Sequence, residues 1–376
     1  MAKTIILVDI FYLHVAQTGI KTYIECLCEE INRDTSSEFT YIITPRLEKI
    51  QKSKFFKGKT PLWKNLLYQS IYFFRKLLII PLLSIKHRSS IIFSPDILSP
   101  IWARGTKISV IHDAFFWENP KHYNPLWLRV YLFLLEAGLK KNAQVITISE
   151  YSKLQIEKYL RLPNLQFHVV YPSSNLRLSG KGVKQNPPLK DPYFLHVGVM
   201  EKRKNLPVLI QAFSQMVKRE DFARFKLVLV GQRGPRKTLD DYDHVLDLIT
   251  SLELENRVIL PGFLNSRDLN NYYQHALAYV FPSLNEGFGM PILEAFSFGL
   301  PVIISNQGSM VEVGGDAVVI VKENSPKGFE EALIQVGGNV ELRQKLIARG
   351  RERLNKFSSP NFFLSLQDCF RRVPHE

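Results

Sequence analysis

Short apolar runs recur along the chain, each closing on Gly, Pro, Ser or His and each followed by a stretch with helical periodicity. In the first half these are Thr4–Val8, Phe39–Ile43, Ile91–Phe93, Ile108–Ile111, Val145–Ile148 and Phe167–Tyr171. In the second half they are Phe194–Val197, Lys226–Val230, Val258–Leu260, Ala278–Phe281, Val302–Ile304 and Val318–Val321. Several are unbroken Val/Ile/Leu runs, the pattern of strands covered on both faces in a parallel sheet. Strands alternating with helices predict βαβ units and doubly wound sheets. Between the halves, residues 172–192 hold Ser173-Ser174, Gly180, Gly182 and Pro187-Pro188 with little apolar periodicity, and read as a linker. The expected fold is therefore α/β: two doubly wound parallel-sheet domains, 1–171 and 193–357. In such sheets ligands sit beyond the carboxyl ends of the strands, and two such domains would face a central cleft.

The polar residues at those strand ends carry the candidate chemistry. After Ala278–Phe281 comes a loop with Glu286, Gly287, Phe288 and Gly289, then a helix that opens near Pro291 and stops at Gly299-Leu300-Pro301. Gly287 and Gly289 let the loop backbone approach a ligand closely. Glu286 on the loop and Glu294 in the first turns of the helix face the same crevice. Two carboxylates there suit hydrogen bonds to sugar hydroxyls, one for a transferred sugar and one for a ribose. The plainer alternative is a loop carboxylate and a solvated helix residue.

A second group follows strand Phe194–Val197. Gly198 ends it, and Arg203 and Lys204 stand just before a helix expected to start at Asn205, a good cap. Two cations with free backbone N–H groups would bind a diphosphate and neutralise it as it leaves, without a metal ion. In the first half, His112 ends the run Ile108–Ile111, where it could bridge sugar and acceptor or be purely structural. Gln17-Thr18-Gly19-Ile20-Lys21 opens a helix after the first strand. Its single glycine is not the G-x-G-x-x-G fingerprint, which disfavours a nicotinamide oxidoreductase. Ser149 caps a helix whatever the function.

Composition and charge change the picture in four places. With 376 residues and 45% hydrophobic content the chain is globular and long enough for two domains. Its three cysteines, Cys26, Cys28 and Cys369, support neither a metal knuckle nor a disulfide framework, and fit free thiols in a reducing cytosol. Ile5–Val8 is interrupted by Asp9 and reads as a buried strand, not a signal peptide. The net charge of +14 is concentrated between Arg46 and Arg88, where eleven Lys or Arg face one acid, Glu48. The same stretch is rich in Trp, Tyr, Phe and Leu. Arg75, Lys76 and Pro81 interrupt it, so it is expected to fall short of a membrane span and to lie on an anionic membrane surface. A core helix with a solvated basic face is the alternative. Nucleic acid is disfavoured, because bulky aliphatics interleave the basic residues.

These residues resemble a known family, the retaining glycosyltransferases of family 4 (glycosyl transferases group 1). Glu286 and Glu294 look like its E-x7-E signature, and Gly198–Asn205 looks like its G-x-x-E-x-R-K-N stretch. His112-Asp113, Val145–Lys153, Val169–Asn175, Gly231, Gly262-Phe263 and Ser305–Asp316 fall in the family's order. The likeness covers nearly the whole chain apart from the region Arg46–Arg88. It implies the GT-B architecture of two Rossmann-like domains: an acceptor domain, a nucleotide-sugar domain, and a final helix, 358–376, crossing back to the first. It further implies that Glu294 holds the donor ribose and Glu286 contacts the transferred sugar. Arg203 and Lys204 would bind the diphosphate, with Gly262 and Phe263 near the base, His112 on the transferring sugar and Gly19 against phosphate and acceptor. The donor would be a GDP- or UDP-linked sugar, with no further cofactor and no metal. The acceptor would be a glycan or lipid-linked glycan in polysaccharide or lipopolysaccharide assembly. The variant here resembles mannosyl- and rhamnosyltransferases, and the place would be the cytoplasm, at the inner face of the membrane.

The chain departs from the family pattern at Thr18-Gly19, where many members have Gly-Gly, and at Val199, where many have Arg. Ser173-Ser174-Asn175 stands where N-G-V-D is usual. The family implies a front-face displacement that retains anomeric configuration. A nucleotide-sugar epimerase on the same architecture, or an inactive nucleotide-sugar-binding assembly protein, are the competing readings.

Overall fold

A computed structural model of the chain describes residues 3–16, 18–36, 38–53, 61–173, 186–234 and 237–373. Gln17 of the glycine loop, residues 54–60 of the basic segment and residues 174–185 of the expected linker lie outside the described residues. The chain divides into two compact units, Met1–Asn175 with Ser358–Glu376, and Leu176–Phe357.

The first unit holds β1 (Thr4–Asp9), β2 (Phe39–Thr44), β3 (Ile91–Ser94), β4 (Thr106–Ile111), β5 (Ala143–Thr147) and β6 (Gln166–Val169). They form one sheet in the order β2-β1-β3-β4-β5-β6, all parallel. The second unit holds β7 (Tyr193–Val197), β8 (Lys226–Val230), β9 (Val258–Gly262), β10 (Ala278–Phe281), β11 (Val302–Ser305) and β12 (Val318–Val321). Their order is β12-β11-β10-β7-β8-β9, again all parallel. The twelve apolar runs of the sequence are these twelve strands, displaced by no more than a residue or two at their ends. The unbroken runs have the cause inferred for them: every residue of β3, β4, β10 and β11 is buried. Burying one such Val, Leu, Ile or Phe side chain is worth roughly 1.5–3 kcal/mol, which charged residues at those positions would forfeit.

In each sheet, order reverses at one place. In the second unit it is between β7 and β10, which lie side by side although two strands separate them in sequence. Loops leaving neighbouring strands in opposite directions open a crevice there, so this geometry marks the end of β7 and β10 as the ligand position within the unit.

The helix Ser359–Arg372 belongs to the first unit, where Phe362 packs edge-on to Tyr23 and Phe370 packs edge-on to both Phe39 and Phe93. Ser358 caps it through the Asn361 N–H. Gln367 donates to Asp34 and Arg371 to Glu38 on the same unit. The three cysteines are unpaired and buried.

The basic, aromatic segment departs from expectation. Leu62–Phe74, a wider π-helical turn Arg75–Ile79 and Ile80–Lys86 follow without a break. Arg75, Lys76 and Pro81 do not interrupt it, and Trp63–Lys86 is long and apolar enough to cross a membrane by length and composition. One face is nonetheless committed to the fold, with Tyr68, Tyr72, Arg75, Lys76, Ile80 and Ser84 all buried. Arg75 and Lys76 therefore do not belong to a solvated basic face. Arg75 Nε lies 2.9 Å from Asp9 Oδ1. Lys76 Nζ lies 3.1 Å from Asp9 Oδ2 and 2.9 Å from Asp96 Oδ1. Tyr72 donates to Asp96 as well. Two cations set against two carboxylates offset a desolvation that neither sign could bear alone. The wider turn brings consecutive side chains onto the same inward side. The opposite face is apolar and exposed, with Trp63, Leu67, Phe74, Leu78, Leu82 and Ile85 at helical spacing.

Candidate active site

The second unit assembles its polar residues at the β7/β10 reversal. β10 ends at Phe281, and the loop that follows carries Glu286 to the cations that follow β7. Glu286 Oε1 lies 2.8 Å from Arg203 Nη1 and 2.6 Å from Lys204 Nζ. Arg203 also pairs with Glu201, Nε to Oε2 at 2.9 Å. The loop backbone is locked to the same group: Leu284 N–H donates to Arg203 O at 2.8 Å, and Ser309 Oγ donates to Glu286 O at 2.7 Å. Burial alone would push the Glu286 carboxyl up, but Lys204 and Arg203 outweigh it and hold it at about 2. Lys204 is lowered from the ordinary lysine range, by burial above all, although Glu286 works against this. The result is a largely covered anion with two cations on it.

Glu294 lies in the helix Met290–Ser297, where Tyr273 donates to its Oε2 at 2.9 Å. Burial raises this carboxyl above the usual glutamate value. The two glutamates eight residues apart thus differ in kind. Glu286 is firmly ionised by its cations, while Glu294 has a raised carboxyl that accepts a hydrogen bond from the Tyr273 phenol. Gly289, at φ +106°, gives the left-handed turn that starts the helix, which an L side chain rarely adopts.

Some expected site residues are used otherwise. The backbone N–H groups of Lys204 and Asn205 are already bonded within a 3₁₀ turn, to the Glu201 and Lys202 carbonyls, and that of Lys202 is bonded to the Leu239 carbonyl. They are not free for a phosphate, so a diphosphate here would meet the side chains of Arg203 and Lys204. Asn205 does not cap the helix Leu206–Met216 with its side chain. It sits at φ +54°, and its amide reaches Asn324 Oδ1 at 3.1 Å. Phe288 turns its ring inward, edge-on to Phe357, and is only 4% exposed. Gly262 closes β9 at φ +75° with open space where a Cβ would stand, and Phe263 beside it is 78% exposed. Gly198 follows β7 and is pressed from behind: a Cβ on Gly231 would strike its carbonyl oxygen at 1.8 Å.

In the first unit, His112 follows β4 and is buried, its Nε2 3.2 Å from Pro95 O and its ring edge-on to Tyr23. Burial lowers its basicity, so it is the neutral imidazole that is present near pH 7. Gly19 lies in the first turn of the helix Thr18–Arg33 and not in an extended loop, and its φ is not left-handed. Ser149 caps Glu150–Tyr159 through the Ser152 N–H at 2.9 Å, as its position in the sequence implied.

Sequence reasoning missed three features. The Asp9–Arg75–Lys76–Asp96 cluster was visible only as interruptions of two apolar runs. Tyr273 as the partner of Glu294 had no sequence signal. His196, one residue inside the end of β7, passed as a strand residue. Among the described residues, no three His, Cys, Asp or Glu side chains converge as metal ligands would.

Comparison with known proteins gives the relatives of the chain. Residues 181–353 match the family described as glycosyl transferases group 1. The chain is 29% identical over 265 residues to the O-antigen chain mannosyltransferase B of Escherichia coli, covering 68% of this chain and 67% of that protein. It is 28% identical over 255 residues to the O-antigen chain mannosyltransferase RfbU of Salmonella typhimurium, covering 67% of this chain and 65% of that protein. The alignments thus span about two thirds of those relatives. The fold matches a glycosyltransferase from Rickettsia africae with a TM-score of 0.71 at 17% identity, over 99% of both chains.

Proposed function

We propose that the chain moves a hexosyl group from a nucleoside-diphosphate sugar to a saccharide or lipid-linked glycan, with retention of anomeric configuration, a reading supported by the match of residues 181–353 to glycosyl transferases group 1. The observation that carries this reading is the Glu286 carboxylate held between Arg203 and Lys204 at the sheet's reversal point. When the bond from the sugar C1 to the diphosphate breaks, negative charge grows on the leaving phosphate. Arg203 and the buried Lys204 are cations already gathered at this place and stabilise that charge. They take the part a metal ion would otherwise play. Glu286 accepts hydrogen bonds from the hydroxyls of the transferred sugar, and Glu294 holds the ribose. Since Glu286 is engaged by two cations, its role is positioning and not covalent attack. The acceptor hydroxyl enters on the face from which the diphosphate leaves.

The names of the relatives support an acceptor in surface polysaccharide or lipopolysaccharide assembly. A lipid-linked acceptor fits the exposed apolar stripe Trp63–Ile85, flanked by the exposed cations Lys86 and Arg88. That face would rest on an anionic membrane surface on the cytoplasmic side.

The test is calorimetric titration with UDP, GDP, ADP and NAD, EDTA present, for the wild type and Glu294→Ala. One diphosphate binds at micromolar strength, and the substitution weakens it at least tenfold, about 1.4 kcal/mol. Absence of binding, or an indifferent Glu294→Ala, removes the donor site from this place.

A further inference from the structure

His196 occupies β7 two residues before Gly198 and is 0% exposed. Its ring lies nearly parallel to Tyr279, centroids 6.2 Å apart. Nδ1 is 3.0 Å from the Val280 carbonyl oxygen. A carbonyl only accepts, so Nδ1 carries the proton, and the neutral ring leaves Nε2 as a bare acceptor. That nitrogen is buried and has no hydrogen-bond partner. A buried acceptor left unsatisfied is costly, and such groups in folded proteins call for an explanation.

The surroundings of Nε2 supply one. A Cβ built on Gly198 would stand 3.3 Å from His196 Nε2, 3.4 Å from Lys204 Cε and 3.7 Å from Lys204 Nζ. The imidazole edge and the lysine head therefore flank one spot that the missing side chain of Gly198 leaves open. Lys204 is buried, lies over the Phe281 ring at 4.9 Å, and has Glu286 Oε1 as its anion at 2.6 Å. Arg203 shares that carboxylate. On the donor-site reading given above, sugar hydroxyls take up Glu286 when the donor binds. The buried ammonium then needs a second acceptor, or it bears the cost of a lost hydrogen bond.

We propose that His196 is that second acceptor: on donor binding a Lys204 Nζ–H shifts to His196 Nε2, which aims the ammonium at the diphosphate. His196 is thus a positioning residue for the leaving group, acting through Lys204. The role requires a neutral ring, and burial, followed by the charge of Lys204, keeps His196 at about 4. Gly198 is required because any side chain there would fill the space in which the two groups meet.

The inference rests on Lys204 binding the diphosphate, and the two ideas separate cleanly in experiment. His196→Asn keeps a donor where Nδ1 stands and removes the Nε2 acceptor. His196→Gln offers an oxygen where Nε2 stands. Titrations with GDP-mannose, and with UDP-glucose in parallel, supply the sugar hydroxyls that engage Glu286; they use the whole chain, and thermal melts confirm that each variant folds. His196→Asn should weaken the bound nucleotide about tenfold, and His196→Gln should stay within about twofold of wild type. Lys204→Met should weaken it more, and adding His196→Asn to it should change nothing further, since the two act as one unit. In the wild-type protein the His196 Nε2 nitrogen resonance should move from its free-lone-pair position toward the hydrogen-bonded one on saturation with nucleotide, a readout that needs no variant. The reverse pattern, with Asn retained and Gln lost, or an unmoved resonance, means that His196 only ties β7 to Val280 and overturns the proposal. An indifferent Lys204→Met, or a wild type that binds neither nucleotide, overturns the diphosphate assignment and this inference with it.

Discussion

Replacing Lys76 by methionine should damage the first unit more than any surface change, and the cluster around it sets the size of the effect. Lys76 Nζ serves Asp96 at 2.9 Å, Asp9 at 3.1 Å and Ser94 Oγ at 3.1 Å, and all four residues are buried. Arg75 continues to neutralise Asp9 when the lysine is gone. Asp96 keeps only the Tyr72 hydroxyl and becomes a buried anion without a cation. Stranding one partner of a buried ion pair costs about 3–5 kcal/mol. For a unit of this size that lowers Tm by roughly 6–20 °C. Two units need not melt together, so hydrogen exchange at the amides of β1 and β3, read against β7 and β10, should localise the loss to the first unit. Asn at position 96 keeps a hydrogen bond with Tyr72 and removes the stranded charge. Lys76→Met with Asp96→Asn should therefore recover more than half of the loss. The pH dependence has a definite sign. Asp96 is already raised above the ordinary aspartate value, by burial first, and losing Lys76 raises it further. A carboxyl with a raised folded pKa favours the fold at low pH, so the deficit of Lys76→Met should grow as pH rises through that value and shrink in acid. If Lys76→Met melts like wild type at neutral pH, or Asp96→Asn fails to rescue it, the cluster is not what holds this helix on its sheet.

Two further outcomes follow from the geometry. Glu286 is held at about 2 by Lys204 and Arg203, so its pairing stabilises the second unit above the ordinary glutamate range and is lost as pH falls toward 2. Melts of wild type should drop across that window while Glu286→Gln, already lacking the pair, shows a flatter profile. The double substitution Leu78→Glu and Leu82→Glu, on exposed positions of the apolar stripe, should abolish co-sedimentation with anionic vesicles. It should leave melting and nucleotide affinity as in wild type; binding that survives both charges would discard the membrane-facing role.

The fold was legible because parallel strands covered on both faces must be apolar throughout, and runs such as Val302–Ile304 and Ala278–Phe281 announce themselves without any partner being known. The candidate site was legible as a cluster for a related reason: Gly289, Glu286, Pro291 and Glu294 all lie within one strand–loop–helix passage. What stayed hidden depends on contacts between distant positions. Asp9 and Arg75 are 66 residues apart, and nothing local distinguishes a buried arginine from a solvated one. Arg75 and Lys76 accordingly looked like interruptions in an apolar helix. Asn205 looked like a cap because its residue type suits one, whereas its backbone is left-handed and its amide is spent on Asn324. Phe288 stands in a ligand loop by sequence yet turns to Phe357, a residue it meets only in three dimensions.

The position of helix Ser359–Arg372 has a consequence for how the protein is made. Ribosomal synthesis is vectorial, and this helix emerges only after the whole of Leu176–Phe357. The later unit is one continuous stretch and can complete its core first, while the earlier one waits with Tyr23, Phe39 and Phe93 lacking their aromatic partners. Nascent chains therefore carry an open apolar seam for the time it takes to translate the intervening unit, which makes them clients for chaperones. A premature stop anywhere before Phe362 would leave that seam permanently open, so a lesion far downstream of the first unit would be read by the cell as a folding defect within it.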